Sequence, residues 1–195
     1  MITEIDKNTA LILIDFQKGI LQRETAHPMK EVLTKAAALI EAFRKAKLPI
    51  VIVNVIPNGS NFKTRKEGMT AQMNAAMSAL LSTPGFADIV EDIKTHPDDI
   101  FITKGTWNAF YNTRLHEELQ KRKVTGIVLG GVATSIGVEG TARAASELSY
   151  NISFATDAVT DMKMEAHQNS LANIYPRLGE LGTTTELIDK LATRK

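Results

Sequence analysis

Apolar residues fall along this chain in two alternating rhythms: short unbroken runs, and longer stretches in which they recur every third or fourth position. The run from Thr9 to Ile14 is continuous and meets the carboxylate of Asp15, the pattern of a strand buried on both faces. From Met29 to Lys47 the residues Val32, Leu33, Ala36, Leu39, Ile40 and Phe43 predict an amphipathic helix, stopped at Leu48 and Pro49. A second, β-branched strand runs from Pro49 to Ile56, with a turn at Pro57, Asn58 and Gly59. Ser60 to Gly68 is polar, basic and without a period, which predicts a mobile loop, and Met69 to Leu81 predicts a less regular helix. Asp99 to Lys104 reads as a third strand, and Asn112 as the N-cap of a helix from Thr113 to Lys123. The fourth strand, Val124 to Gly130, passes through a turn at Gly131 to Gly137 into a helix ending near Leu148. A fifth strand from Tyr150 to Thr156 ends at Asp157; a helix over 165–174, a short strand over 181–183 and a helix over 185–192 follow.

Strands alternating with helices imply an α/β fold, a parallel sheet with helices on both faces, because each parallel crossover must carry the chain back across the sheet. With no internal repeat or linker, one domain over residues 1–195 is expected. Ligands bind such sheets outside the carboxyl ends of the strands. Asp15, Asn54, Lys104, the Gly130 to Gly137 loop and Asp157 all fall at predicted ends.

Composition narrows the chemistry. Lys plus Arg number 23 and Asp plus Glu 22, so no strong field draws nucleic acid or an anionic membrane, and a small molecule is the expected partner. No apolar run approaches the roughly 20 residues of a membrane span, and Met1 to Asn8 is polar, which predicts a cytoplasmic protein. Cysteine is absent, which removes disulfides, thiolate metal sites and thiol nucleophiles together. The four histidines, His27, His96, His116 and His167, lack metal-ligand spacing, so no metal or other cofactor is expected.

Asp15 and Lys104, at ends taken to be adjacent, can act as proton donor and electrostatic partner, or form a structural ion pair. Glycines at 130, 131 and 137 before a helix can aim backbone N–H groups at an oxyanion, or only permit a tight turn. Ala133, Thr134, Ser135, Ile136 and Gly137 resemble a nucleophile elbow with alanine for its first glycine, and Asp157 and His167 follow in triad order; His167, however, lies within a helical period. Trp107 and Phe110 either line an apolar substrate wall or pack. Arg65 or Lys63, in the basic loop from Lys63 to Lys66, could contact a substrate carboxylate or form a solvated surface.

Four segments carry a resemblance covering nearly the whole chain: Ala10 to Gln17, Lys104 to Thr113, Gly130 to Arg143, and Asp157 to Val159. Together they resemble the isochorismatase-like hydrolases, the superfamily that includes nicotinamidases and other cysteine hydrolases. The resemblance implies a Rossmann-like three-layer α/β/α sandwich with a six-stranded parallel sheet, and a homo-oligomer. It places the family's Asp at Asp15, its Lys at Lys104 and its third catalytic position at Gly137. Most members have a nucleophilic cysteine there, whereas isochorismatases have glycine and form no covalent intermediate. It further implies a cis peptide between Val132 and Ala133, with Thr134 and Ser135 in the substrate-binding loop. The nicotinamidase metal motif is absent from Asn54 to Gly59. A thiol-free hydrolase of a vinyl ether or similar small carboxylate is therefore expected; the alternatives are an inactive ligand-binding relative and a serine hydrolase using Ser135.

Overall fold

The computed structural model describes residues 1–57, 78–79 and 81–194. The turn at Asn58 and Gly59, the basic loop with Lys63, Arg65 and Lys66, and nearly all of the predicted helix over 69–81 lie outside the described residues.

Strands β1 (Thr9–Ile14), β2 (Ile50–Val55), β3 (Ile100–Lys104), β4 (Gly126–Val132), β5 (Asn151–Thr160) and β6 (Glu180–Gly182) form one sheet in the order β3-β2-β1-β4-β5-β6. Every neighbouring pair is parallel. The α-helices with both ends among the described residues are α1 (Lys18–Leu21), α2 (Met29–Lys45), α3 (Leu115–Lys121), α4 (Glu139–Glu147), α5 (Met164–Asn169) and α6 (Thr184–Ala192). Wide π-helical turns at Thr134–Val138 and Ser170–Ile174 adjoin α4 and α5.

The unbroken apolar run of β1 is explained by its two neighbours. Leu11 and Leu13 pack into a core with Leu39 and Phe43 of α2 and Leu187 and Leu191 of α6. Ala10, Ile12 and Ile14 face the opposite core, with Leu115 and Leu119 of α3 and Ala142 and Ala145 of α4. Each face of the central strand is therefore dry, and each fully buried Leu or Ile contributes roughly 1.5–3 kcal/mol. From β1 the chain builds outward to β3, then returns to β4 and builds the other way. The carboxyl ends of β1 and β4 thus flank the switch point at which such sheets open a ligand crevice.

Two predicted boundaries are corrected. Asn112 is not a helix cap: it takes φ +52, a conformation Asn tolerates, whereas a cap needs extended backbone, and α3 begins at Leu115. Asp157 does not end β5. The pairing of β4 with β5 jumps from Leu129 opposite Phe154 to Gly131 opposite Val159, so β5 absorbs an irregularity and continues to Thr160. Within that irregular stretch Asp157 turns outward. Its carboxylate accepts from the N–H (2.7 Å) and hydroxyl (2.8 Å) of Thr184 at the start of α6, and pairs with Lys35.

Candidate active site

Immediately after β1 the chain turns sharply. Asp15 takes φ +56, held there by its N–H donating to the Val53 carbonyl (2.9 Å) and its own carbonyl accepting from Gln17 N–H (2.8 Å). Its side chain is buried against the end of β3. Lys104 reaches it across β2, so the two strand ends are not adjacent as predicted: Lys104 stands opposite Val55, and the long lysine stem spans the roughly 10 Å of two strand spacings. Lys104 Nζ donates to Asp15 Oδ2 at 2.7 Å and to the Thr106 carbonyl at 3.1 Å. Asp15 Oδ1 is buried and has no hydrogen-bond partner among the described residues. Burial drives the Asp15 carboxyl up to about 6, against the opposing pull of the Lys104 ammonium. About half of this acid keeps its proton at pH 6, and about a tenth at pH 7.

The far wall is the turn after β4. Gly131 sits at φ +136, where a Cβ would lie 2.2 Å from the Ile14 carbonyl oxygen, so only glycine lets β4 pass this close to β1. The Val132–Ala133 peptide is cis. Gly137 comes back beside Asp15: a Cβ there would lie 3.2 Å from Asp15 Oδ2, 3.3 Å from the Val132 carbonyl oxygen and 3.0 Å from an Ile14 methyl. Asp15, Lys104 and Gly137 therefore converge, from three strand ends, on one small volume.

This geometry can be set beside known proteins. The isochorismatase domain matches residues 9–186. An uncharacterised isochorismatase family protein of Escherichia coli O157:H7, YecD, is 36% identical over 194 residues, covering 95% of this chain and 97% of that one. The chain belongs to the isochorismatase family. It is accordingly a hydrolase of that family. The solved structure of an isochorismatase family protein from Burkholderia thailandensis superposes with a TM-score of 0.87 at 33% identity, covering 98% of this chain and all of the other. Nicotinamidase 3 of Arabidopsis thaliana is 28% identical over 172 residues, 86% of this chain and 81% of that one.

Other predicted residues of this isochorismatase-family site are occupied differently. The serine triad is not assembled: Ser135 Oγ donates to Asp161 Oδ2 at 2.8 Å, His167 Nδ1 shares a 2.9 Å hydrogen bond with Thr134 Oγ1, and Asp157 is engaged by α6. Burial and the neighbouring His27 hold His167 below the usual histidine range, opposed by Asp161. Both loop hydroxyls, of Thr134 and Ser135, are thus engaged with residues after β5. Val132 and Ala133 are buried at the end of β4. Phe110 is partly buried, stacks on Tyr150 with ring centroids 5.8 Å apart and packs against the core that includes α3. Trp107 is exposed and lies over Gly140 in the first turn of α4. Asn54 ties β2 to the Ala87 carbonyl rather than facing Asp15. Among the described residues no cluster of three or more His, Asp or Glu side chains could hold a metal ion, and no helix is long and apolar enough to cross a membrane.

One residue that sequence reasoning passed over does much to fix Asp15. Gln17 is fully buried, and its side-chain amide donates to the carbonyls of Val55 and Phe86 (both 3.0 Å) and accepts from Val55 N–H (2.7 Å). Because β1 bends away at Asp15, the end of β2 loses its ladder partner, and the Gln17 amide substitutes for it. The available signal was a glutamine three residues beyond the unbroken apolar run that ends at Ile14, where a solvated side chain would be the default.

Proposed function

We propose that this protein is a thiol-free hydrolase of the isochorismatase type, acting on the vinyl ether of a small carboxylate. The observation that carries this reading is the divided state of Asp15: one oxygen is held by Lys104, the other is buried without a partner, and the acid is lifted to about 6. A carboxyl in that state is a proton donor with a free oxygen from which to donate. With no cysteine in the chain, acyl transfer through a thiol is not open to it.

In the proposed reaction, the Asp15 carboxyl delivers its proton to the terminal carbon of the enol ether, leaving an oxocarbenium ion. Lys104 holds the resulting carboxylate and stabilises its charge as it forms. Water beside Gly137 attacks the cationic carbon, and the carboxylate takes up the proton that the water sheds. The hemiketal hydroxyl then gives up its proton as the departing ether oxygen gains one, and the bond from the hemiketal carbon to that ether oxygen breaks to give an alcohol and a 2-oxo acid. Glycine suits this role, since any side chain at 137 would meet Asp15 Oδ2 and the Val132 carbonyl at little more than 3 Å.

The test is turnover of isochorismate, with pyruvate followed through lactate dehydrogenase. One pyruvate per isochorismate consumed is expected. No pyruvate above the spontaneous rate, with the protein folded, overturns the reading.

A further inference from the structure

Lys104 is held at its tip by Asp15 and by the carbonyl of Thr106. The segment that carries Thr106 runs on through Ala109, and it must keep its place relative to the turn that carries Gly137. Within itself it is braced by local bonds: Asn108 Oδ1 accepts from Phe110 N–H at 2.7 Å, and Thr113 Oγ1 donates to the Ala109 carbonyl at 2.5 Å. Its side-chain hydrogen bond to the Gly137 turn is made by Thr141. Thr141 lies in α4 and is fully buried. Its hydroxyl donates to the Gly137 carbonyl at 2.7 Å and accepts from Ala109 N–H at 3.1 Å. A threonine bonding back four residues along its own helix is commonplace. Here the same oxygen also receives a backbone N–H from a different element. Donor and acceptor capacity are both in use, and neither bond competes with water.

We propose that Thr141 is a positioning residue for hydrolysis: its hydroxyl sets the separation between the Lys104 loop and the Gly137 turn, and so fixes Lys104 against Asp15. The inference rests on the reading of Asp15 and Lys104 as the reacting pair. Removing the hydroxyl leaves both the Ala109 N–H and the Gly137 carbonyl short of a partner in a dry interior, which drives the two segments apart. Trp107, whose Cβ packs 3.3 Å from where a Cβ on Gly140 would stand, belongs to the same contact and would move with it.

The test reads the Asp15 carboxyl directly, by carbon-detected NMR titration, and needs no substrate. Thr141→Val keeps the shape and removes the hydroxyl; Thr141→Ser keeps the hydroxyl. A retreating ammonium pulls the acid down less, so the Asp15 midpoint in Thr141→Val should rise by at least about half a pH unit, while Thr141→Ser stays within about 0.2 units of wild type. With a turned-over substrate, Thr141→Val should lose at least about tenfold in kcat with KM held within about twofold. A Thr141→Val midpoint equal to wild type overturns the proposal, as does a Thr141→Ser midpoint displaced like that of valine. If Thr141→Val fails to fold, Thr141→Cys, which preserves volume and weakens both bonds, takes its place under the same two criteria. Failure of the isochorismate assay leaves this titration readable, so the two conclusions fall separately.

Discussion

Asp15 and Asp161 sit at the ends of strands on either side of β4, both almost fully buried, and they differ in how their oxygens are partnered. Asp161 accepts three hydrogen bonds at 2.8 Å: from the N–H and hydroxyl of Ser135 on one oxygen and from Met162 N–H on the other. Among the described residues Asp15 accepts one side-chain bond, from Lys104, and its second oxygen has no partner. The difference separates burial from reactivity. A buried carboxylate whose lone pairs are matched by fixed donors is a clamp, here fastening the Gly137 turn to the end of β5. One that is desolvated and half-matched is poised to hold and release a proton.

The sharpest way to break the comparison is to neutralise each acid in turn. Asp15→Asn keeps size and abolishes proton donation, so pyruvate formation from isochorismate should fall at least about 100-fold. A variant retaining most of the wild-type rate would remove Asp15 from the mechanism.

The second experiment varies pH. On the proposed mechanism the acid reacts in its protonated form, so kcat/KM should decline about tenfold per unit above roughly pH 6, and this basic limb should be missing from whatever activity Asp15→Asn retains. Stability moves in the same sense. The folded value of about 6 lies above the ordinary 3.8, so the native state holds this proton more tightly. The resulting stabilisation is complete below pH 3.8 and is lost as pH rises through about 6, a change of roughly 3 kcal/mol. Urea unfolding of wild type against Asp15→Asn at pH 4 and pH 7 should show the gap narrowing or reversing at the higher pH; a constant gap would mean that Asp15 titrates at its ordinary value.

The smallest effect belongs to the clamp. Asp161→Ala strands the Ser135 N–H and should cost about 1–3 kcal/mol in urea unfolding, with turnover reduced less than tenfold. An Asp161 variant as inactive as Asp15→Asn would erase the distinction between the two carboxylates.

How much of this was legible depended on how the chain signals an ending. β1 and β3 could be read to Asp15 and Lys104 because a charged residue closes an apolar run in both. At β5 the same logic misled. Thr156 and Asp157 interrupt the apolar run, yet the strand resumes, because Asp157 turns outward to α6 where the pairing with β4 slips. Bulges of this kind depend on the partner strand, which local pattern does not contain. Asp161, the carboxylate that does follow β5, was hidden by that misplaced end. The Asp15 and Lys104 contact across an intervening strand was equally invisible, since strand order is set by topology rather than by either segment. Thr134 and Ser135 were rightly placed in the turn, but their partners, His167 and Asp161, lie 33 and 26 residues further on.

The left-handed backbone of Asp15 has a consequence for how this position can change over a lineage. At φ +56 most side chains are strained, and Asn, Asp and Gly are the residues that occupy such a conformation readily. From either aspartate codon, Asn and Gly are each one nucleotide away. On the proposed mechanism, a descendant that gives up hydrolysis can therefore do so in a single step while β1 keeps its turn and Gln17 keeps its grip on β2. Loss of activity and retention of the folded pocket are close neighbours in sequence space for this scaffold.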